Sequence, residues 1–250
     1  MTDQATVMVP ERRTTESLKA HFDESDIIRL EATRHLSKTE RQIAYCCWEN
    51  PEARGGGIFA VAEHIAEHLK GLGDVLLLSP LHTNLKTAPA PSALEPIETA
   101  APVRTTFEGR NVEIKLYRHR DRERVRNPWV LMSATGFFEA DGGEGRTSPY
   151  VYSSPCGGWN DPLLRDALFA CAAAPNVLAG MNKKQNVIFH GQDWEWGALA
   201  LTVNQALLKG TLESAVVVMT LHNLFDRYLP AEALRAISDR TEDEYWPPID

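Results

Sequence analysis

Residues 42–80 constrain the fold more than any other stretch of the sequence. Gln-Ile-Ala-Tyr-Cys-Cys-Trp (42–48) is a short apolar run with β-favouring residues, bounded by Glu49-Asn50-Pro51, and it reads as a buried strand. Arg54-Gly55-Gly56-Gly57 follows. Ile58, Val61, Ala62, Ile65 and Leu69 then recur on one stripe at the spacing of an amphipathic helix. Lys70 stands in its last turn, Gly71 is the expected C-cap, and Gly73 prolongs the turn. Asp74-Val-Leu-Leu-Leu-Ser79 is the next strand, stopped by Pro80. A strand, a glycine loop, a helix and a second strand in that order imply parallel strands joined by a right-handed crossover, hence an α/β fold.

The rest of the chain extends this pattern. Residues 1–38 carry scattered charges and only short apolar pairs such as Ile27-Ile28, and read as a polar extension, flexible or loosely helical, ahead of one domain over 39–250. The Ala- and Pro-rich residues 86–103 read as a surface connection. Val112–Tyr117 alternates as a half-exposed strand, and Trp129–Met132 is an apolar strand. A long Gly-, Ser- and Pro-rich loop runs from Ala134 to Trp159, of a length that usually carries function. The spacing of Leu164, Leu168 and Phe169 predicts a helix over 161–174. Residues 186–190 form a strand, 195–208 a helix, 215–221 the most β-branched strand of the chain, and the tail from Ala231 is helical.

Composition removes several classes of function. With 43% hydrophobic residues the chain has ample material for a core, which excludes wholesale disorder. Lys+Arg 26 minus Asp+Glu 34 gives −8, a poor balance for nucleic acid or anionic lipid. No stretch approaches the roughly 18–20 continuous apolar residues of a membrane span, and the polar N-terminus lacks a signal-peptide core. Four Cys, with Cys46 and Cys47 adjacent inside a buried strand, make no disulfide framework and fit a reduced cytoplasm.

In an open α/β sheet, ligands sit beyond the carboxyl ends of the strands. Three strands here end in polar, aromatic or glycine-rich segments: 49–57, His190-Gly-Gln192-Asp193-Trp194-Glu-Trp196, and His222-Asn223 onward to Tyr228. Gly55, Gly56 and Gly57 let the backbone approach a ligand, the N–H groups opening the helix at Ile58 suit a phosphate, and Arg54 adds a bidentate contact. The bland alternative is a strand-to-helix turn. The 190–196 segment sets an indole beside amide and carboxylate groups, as a sugar requires, while Asp193 also suits a helix N-cap with Trp194 and Trp196 in the core. His222 reads either as a rim group or as a satisfied structural residue. His64-Ile-Ala-Glu67-His68 fits an inverted zinc-protease pattern, yet its histidines flank the apolar stripe beside Glu63 and Glu67, so no metal site is assigned. The run Arg118–Arg126 is partly neutralised by Asp121 and Glu123 and reads as a solvated loop or strand face.

In order and content, these segments resemble the N-terminal catalytic domain of bacterial glycogen synthases and plant starch synthases. The family's K-T-G-G-L loop is matched by Arg54-Gly55-Gly56-Gly57-Ile58, and its D-N-x-x-R-F helix start by Asp161-Pro-Leu-Leu-Arg165 with Phe169 a turn later. Its H-x-H-D-W is matched by His190-Gly-Gln192-Asp193-Trp194, and its H-N by His222-Asn223; the resemblance covers residues 42–230. It implies the Rossmann-like, doubly wound, mainly parallel sheet of the N-terminal half of a GT-B enzyme. It further implies retaining transfer of glucose from ADP-glucose, or another nucleotide sugar, to an α-1,4-glucan, with the donor as substrate and no cofactor. On that resemblance Arg54 takes the part of the lysine that holds the donor diphosphate, and Asp161 matches the aspartate near the sugar. Gln192 replaces the histidine that contacts the donor sugar, a departure that removes a group able to carry a proton. His190, Asp193, Trp194, His222 and Asn223 keep the family's identities as structural and cleft-rim groups. The family's second half supplies most nucleotide contacts and an essential glutamate, so these 250 residues are expected to transfer no glucose without it. The alternative from the same residues is a glucan-binding or regulatory module that kept the fold and lost the chemistry; a third is a GT-B transferase with another donor or a small acceptor.

Overall fold

The computed structural model describes residues 24–25, 28, 41–121, 127–139, 151–152, 162–222 and 231–237. The chain divides into two compact units, Met1–Ser37 and Lys38–Asp250, and the second contains the sheet. Its strands are β1 (Gln42–Cys46), β2 (Asp74–Pro80), β3 (Leu94–Pro96), β4 (Val103–Phe107), β5 (Arg110–His119), β6 (Trp129–Ser133), β7 (Val187–Gln192) and β8 (Ala215–Thr220). The helices are α1 (Ile58–Leu69), α2 (Pro162–Gly180), α3 (Leu199–Leu208) and α4 (Ala231–Ile237).

Sheet order is β3-β5-β6-β2-β1-β7-β8, with β4 paired to β5. The five strands β6, β2, β1, β7 and β8 are mutually parallel, and the antiparallel β3, β4 and β5 extend the β6 edge. The chain therefore leaves β1 in one direction, through β2 to β6, and returns to β7 on its other side. That reversal is the topological switch point of a doubly wound sheet, and it opens a crevice between the carboxyl ends of β1 and β7.

Alternation along β1 shows why both faces are covered. Ala44, Cys46 and Trp48 enter the larger core with α2, α3 and α4, whereas Ile43, Tyr45 and Cys47 enter the smaller one under α1. A strand buried on both faces needs a continuous apolar run, as residues 42–48 provide. Both adjacent cysteines are thus core groups, and burial pushes their thiols up, away from the thiolate.

Several expectations from the sequence are corrected. Residues 86–103 are more than a surface connection: they hold a 3-10 turn at Pro91–Ala93 and all of β3, and they lead directly into β4. The C-cap of α1 is Lys70 in right-handed helical geometry, so Gly71 does not close the helix with a left-handed turn. Within α1 the fully buried positions are Ala62 and Ala66; Ile58, Ile65 and Leu69 pack only partly buried against the smaller core. Before α3, Trp194–Trp196 is a separate 3-10 turn, so the helix expected from 195 begins at Leu199. His119 is a buried partner of Glu52 at 3.1 Å and no part of a solvated face; residues 122–126 lie outside the described residues.

The largest difference lies in α2, which continues through Pro175 to Gly180. A proline inside a helix removes one N–H and so deprives the carbonyl four residues earlier of its donor. That carbonyl belongs to Cys171, and the Thr202 hydroxyl of α3 donates to it at 2.7 Å. The neighbouring Ala172 carbonyl accepts from Thr105 Oγ1 at 3.0 Å and from Asn176 Nδ2 at 3.1 Å. Among the described residues α2 is the one helix long and apolar enough on average to cross a membrane, but Arg165, Asp166 and Asn176 interrupt its apolar run and 78% of its most apolar window is buried inside the protein. It is the central core helix.

Candidate active site

Three segments meet the rule for the carboxyl end of the sheet, and each is positioned differently. The loop after β1 is shaped by Asn50. Its amide donates to Ser79 Oγ at 3.2 Å and to the Pro80 carbonyl at 2.9 Å, while its Oδ1 accepts from the Glu52 and Ala53 N–H groups at 3.1 and 3.0 Å. This Asx-type turn fixes the path into the glycines. Arg54 lies back over the loop, its guanidinium 4.4 Å from the centre of the Phe59 ring and its Nε donating to the Pro51 carbonyl at 3.0 Å.

The three glycines serve different ends. A Cβ on Gly55 would sit 2.5 Å from Tyr152 Cε2 and 2.8 Å from Val151 Cγ1, so this position is glycine because the long loop packs on it. At Gly56 a Cβ would lie 3.3 Å from Glu49 Oε1, and at Gly57 it would meet nothing. None of the three takes a positive φ. Gly56 and Gly57 are exposed at the start of α1, and of the two only Gly57 has no neighbour within reach of a Cβ; backbone N–H groups at a helix start suit an anion.

Glu49 and Tyr152 are the site residues to which the sequence assigned no role. Glu49 is almost fully buried; its Oε2 accepts from the Phe59 N–H at 3.2 Å and its Oε1 from the Tyr152 hydroxyl at 2.8 Å. The carboxylate thus takes one of the unpaired N–H groups of the α1 terminus and leaves the outer ones to the crevice. Burial, then the charges of Glu195 and Glu49, push the Tyr152 hydroxyl far above its ordinary range, so it stays a donor. No spacing rule links residues 49 and 152.

On the other side of the crevice, β7 ends in His190-Gly191-Gln192-Asp193. Gly191 is demanded by packing, since a Cβ there would lie 2.6 Å from Met219 Sδ and 3.0 Å from Trp196 Cβ. Asp193 has φ 65 and ψ −176, a region open almost only to glycine, and its carboxylate caps the 3-10 turn by accepting from the Trp194 N–H at 3.1 Å. Its own N–H donates to the Thr220 carbonyl of β8 at 2.8 Å. The cap expected from sequence is present, on a strained backbone. Trp196 is core and Trp194 only partly buried.

Gln192 is fully buried, and its Oε1 accepts from His222 Nε2 at 2.8 Å. That contact sets His222, exposed beyond β8, with its proton on Nε2. His190 Nε2 bonds Thr220 Oγ1 at 2.8 Å, and its ring meets Tyr45 edge-on at 4.9 Å. Desolvation, then the nearby His222, hold His190 below the usual histidine range and thus neutral. The structure therefore places two side-chain pairs across β7 and β8, Gln192 with His222 and His190 with Thr220. Asp161 and Asn223 lie outside the described residues. His64 and His68 are exposed on α1, and among the described residues no group of three His, Cys, Asp or Glu is placed to hold a metal.

A parallel doubly wound sheet with a glycine loop and a polar, aromatic segment at the strand ends beside its switch point defines a Rossmann-like α/β domain. The chain belongs to the starch synthase catalytic domain family, whose model matches residues 42–247. Among solved structures it is similar to the catalytic domain of starch synthase IV from Arabidopsis thaliana bound to ADP and acarbose, with TM-score 0.55 and 18% identity. That match covers 74% of this chain but only 34% of the other, so the chain spans about a third of the length of its structural neighbour. No curated protein matches the sequence significantly.

Proposed function

We propose that this chain is the N-terminal half of a retaining glucosyltransferase that moves glucose from ADP-glucose, or a related nucleotide sugar, to an α-1,4-glucan in the cytoplasm. The observation that carries this reading is the crevice itself. The open amides of Gly57 and the α1 terminus stand with Arg54 on one side, and the hydrogen-bonded histidines His190 and His222 with partly buried Trp194 on the other. The first side suits a diphosphate, the second a sugar ring with its hydroxyl edge and apolar face. The relative solved with ADP and acarbose supports the same pairing of a nucleotide and a glucan-like ligand. On this reading the donor nucleotide is gripped mainly by a second GT-B half, and these 250 residues alone transfer no glucose.

A second reading has its own observation. Gln192 is buried against His222 and cannot itself meet a donor sugar in this arrangement, which favours a glucan-binding or regulatory module on the same fold. Calorimetric titration with maltoheptaose and, separately, with ADP-glucose tests both readings, alongside an assay for glucan elongation. Glucan binding without elongation is expected. Elongation by the isolated chain would sink the claim that it is inactive alone, and failure to bind either ligand would remove the functional reading.

A further inference from the structure

Glu49 brings a buried negative charge to the side of the crevice that suits a diphosphate. Its side chain is almost fully buried, and its carboxylate accepts on both oxygens, from the Phe59 N–H at 3.2 Å and from the Tyr152 hydroxyl at 2.8 Å. Both donors are neutral, so they hold the carboxylate in place without cancelling its charge. Among the described residues no Lys or Arg forms an ion pair with it. Arg54 is turned elsewhere, over the Phe59 ring and onto the Pro51 carbonyl. The counter-charge of Glu49 is therefore the positive end of α1 itself.

That helix end also carries the amides a phosphate would use. A Cβ on Gly56 would lie 3.3 Å from Glu49 Oε1, so the carboxylate reaches the glycine loop from its buried side. Phosphate oxygens bonded to the Gly57 and Ile58 N–H groups at about 3 Å would stand on the order of 6 Å from it. At an effective dielectric constant of about 20, two unit charges so placed repel by enough to weaken binding about a hundredfold. Water around the outer phosphate reduces that to about tenfold. Glu195, also buried, adds to the same field: its charge, then that of Glu49, acts on the Tyr152 hydroxyl.

We infer that Glu49 is a specificity-determining residue of the crevice, whose buried charge restricts the glycine loop to weak, readily reversed binding of a nucleoside diphosphate. The inference rests on the reading of this loop as the diphosphate side of the crevice, and it names what limits the grip there. A loop that held the diphosphate of the donor tightly would hold the diphosphate product equally well. With Glu49 in place, retention of the donor falls to groups outside this loop.

The test is calorimetric titration of the whole chain with ADP, AMP and adenosine, repeated on Glu49→Gln and Tyr152→Phe, with circular dichroism to confirm the fold. In the parent, ADP is expected to bind less than tenfold tighter than adenosine. Glu49→Gln removes the charge and keeps an acceptor, and should bind ADP at least tenfold tighter than the parent. Its gain should shrink for AMP and vanish for adenosine. Tyr152→Phe keeps the charge and should show no gain. An equal gain in Tyr152→Phe would assign the effect to release of the tyrosine and overturn the inference. So would parent binding of ADP a hundredfold tighter than adenosine, or Glu49→Gln binding ADP no tighter than the parent; maltoheptaose binding by the parent would in each case leave the glucan reading standing. Failure of parent and variants to bind any nucleotide or maltoheptaose overturns both.

Discussion

The two sides of the crevice are built by opposite means. On the β1 side the backbone is relaxed and side chains do the shaping: Asn50 reaches Ser79, and Glu49 ties the α1 terminus to Tyr152. On the β7 side the backbone itself carries the shape, through the register that sets Gln192 opposite Thr220 and through the strained Asp193. A motif of consecutive residues describes the second kind of construction well. The first kind depends on partners 29 and 103 residues distant, and a local motif contains none of them.

The contrast is broken most directly at Glu49. Glu49→Ala takes the carboxylate acceptor away from the partly buried Tyr152 hydroxyl and from the Phe59 N–H at the helix terminus, and losing such acceptors costs about 1–3 kcal/mol each. A loss of about 3 kcal/mol is therefore expected in urea unfolding, whereas Glu49→Gln, which keeps an acceptor, should lose about 1 kcal/mol. If Glu49→Ala behaved like a surface substitution, the β1 side would owe its shape to something other than this carboxylate.

Legibility followed the same division. The parallel unit at 42–80 could be read because alternation, glycines and helical spacing are local signals, and the order of motifs led to the family now matched over 42–247. His190-Gly-Gln-Asp-Trp194 could be read for the same reason. The glycine triplet was legible as a feature but not in its causes, since Gly55 answers to Tyr152. The extent of α2 was hidden because Pro175 is a helix breaker unless a neighbour supplies the missing donor, and Thr202 does so from α3. Sequence also ranked 215–221 as the most β-branched strand, yet Val216 and Val218 are exposed; β-branching fits residues to a pleated backbone without stating which face is covered.

Acid sharpens the comparison, because the groups that anchor the rim titrate in opposite senses. Asp166 accepts from the Phe138 N–H at 2.7 Å, pinning a residue with φ 65 at the start of the loop that leads to Tyr152. Burial raises its pKa from 3.8 to about 7. The folded state then holds this proton more tightly than the unfolded one, so its contribution is complete below pH 4 and is lost as pH rises towards 7. His190 is shifted down by desolvation, and its contribution is present above about pH 6.5 and fades as pH falls. His82, buried with its pKa lowered to about 4, works in the same sense as His190. Comparison with Asp166→Asn isolates the first effect. Between pH 4 and 7 the stability difference between the two proteins should change by about 3 kcal/mol, with the variant gaining relative to the parent as pH rises. A constant difference would mean that Asp166 is ionised in the fold as readily as in the unfolded chain.

The smallest effect is expected at Asp193, where the β7 side stores its strain. Its backbone lies where side chains cost about 1–3 kcal/mol, and its carboxylate returns part of that by capping Trp194. Asp193→Ala loses the cap and keeps the strain, so it should destabilise by about 1 kcal/mol. Asp193→Gly loses the same cap but relieves the strain, and should come out about 1 kcal/mol more stable than the alanine variant. Ordinary helix-end substitutions rank glycine and alanine by capping preference alone, so a gap this size in urea unfolding reports the backbone at position 193. Equal stabilities for the two variants would show that the backbone relaxes once the carboxylate is gone, and that the strain is imposed by the cap and not by the β7–β8 register.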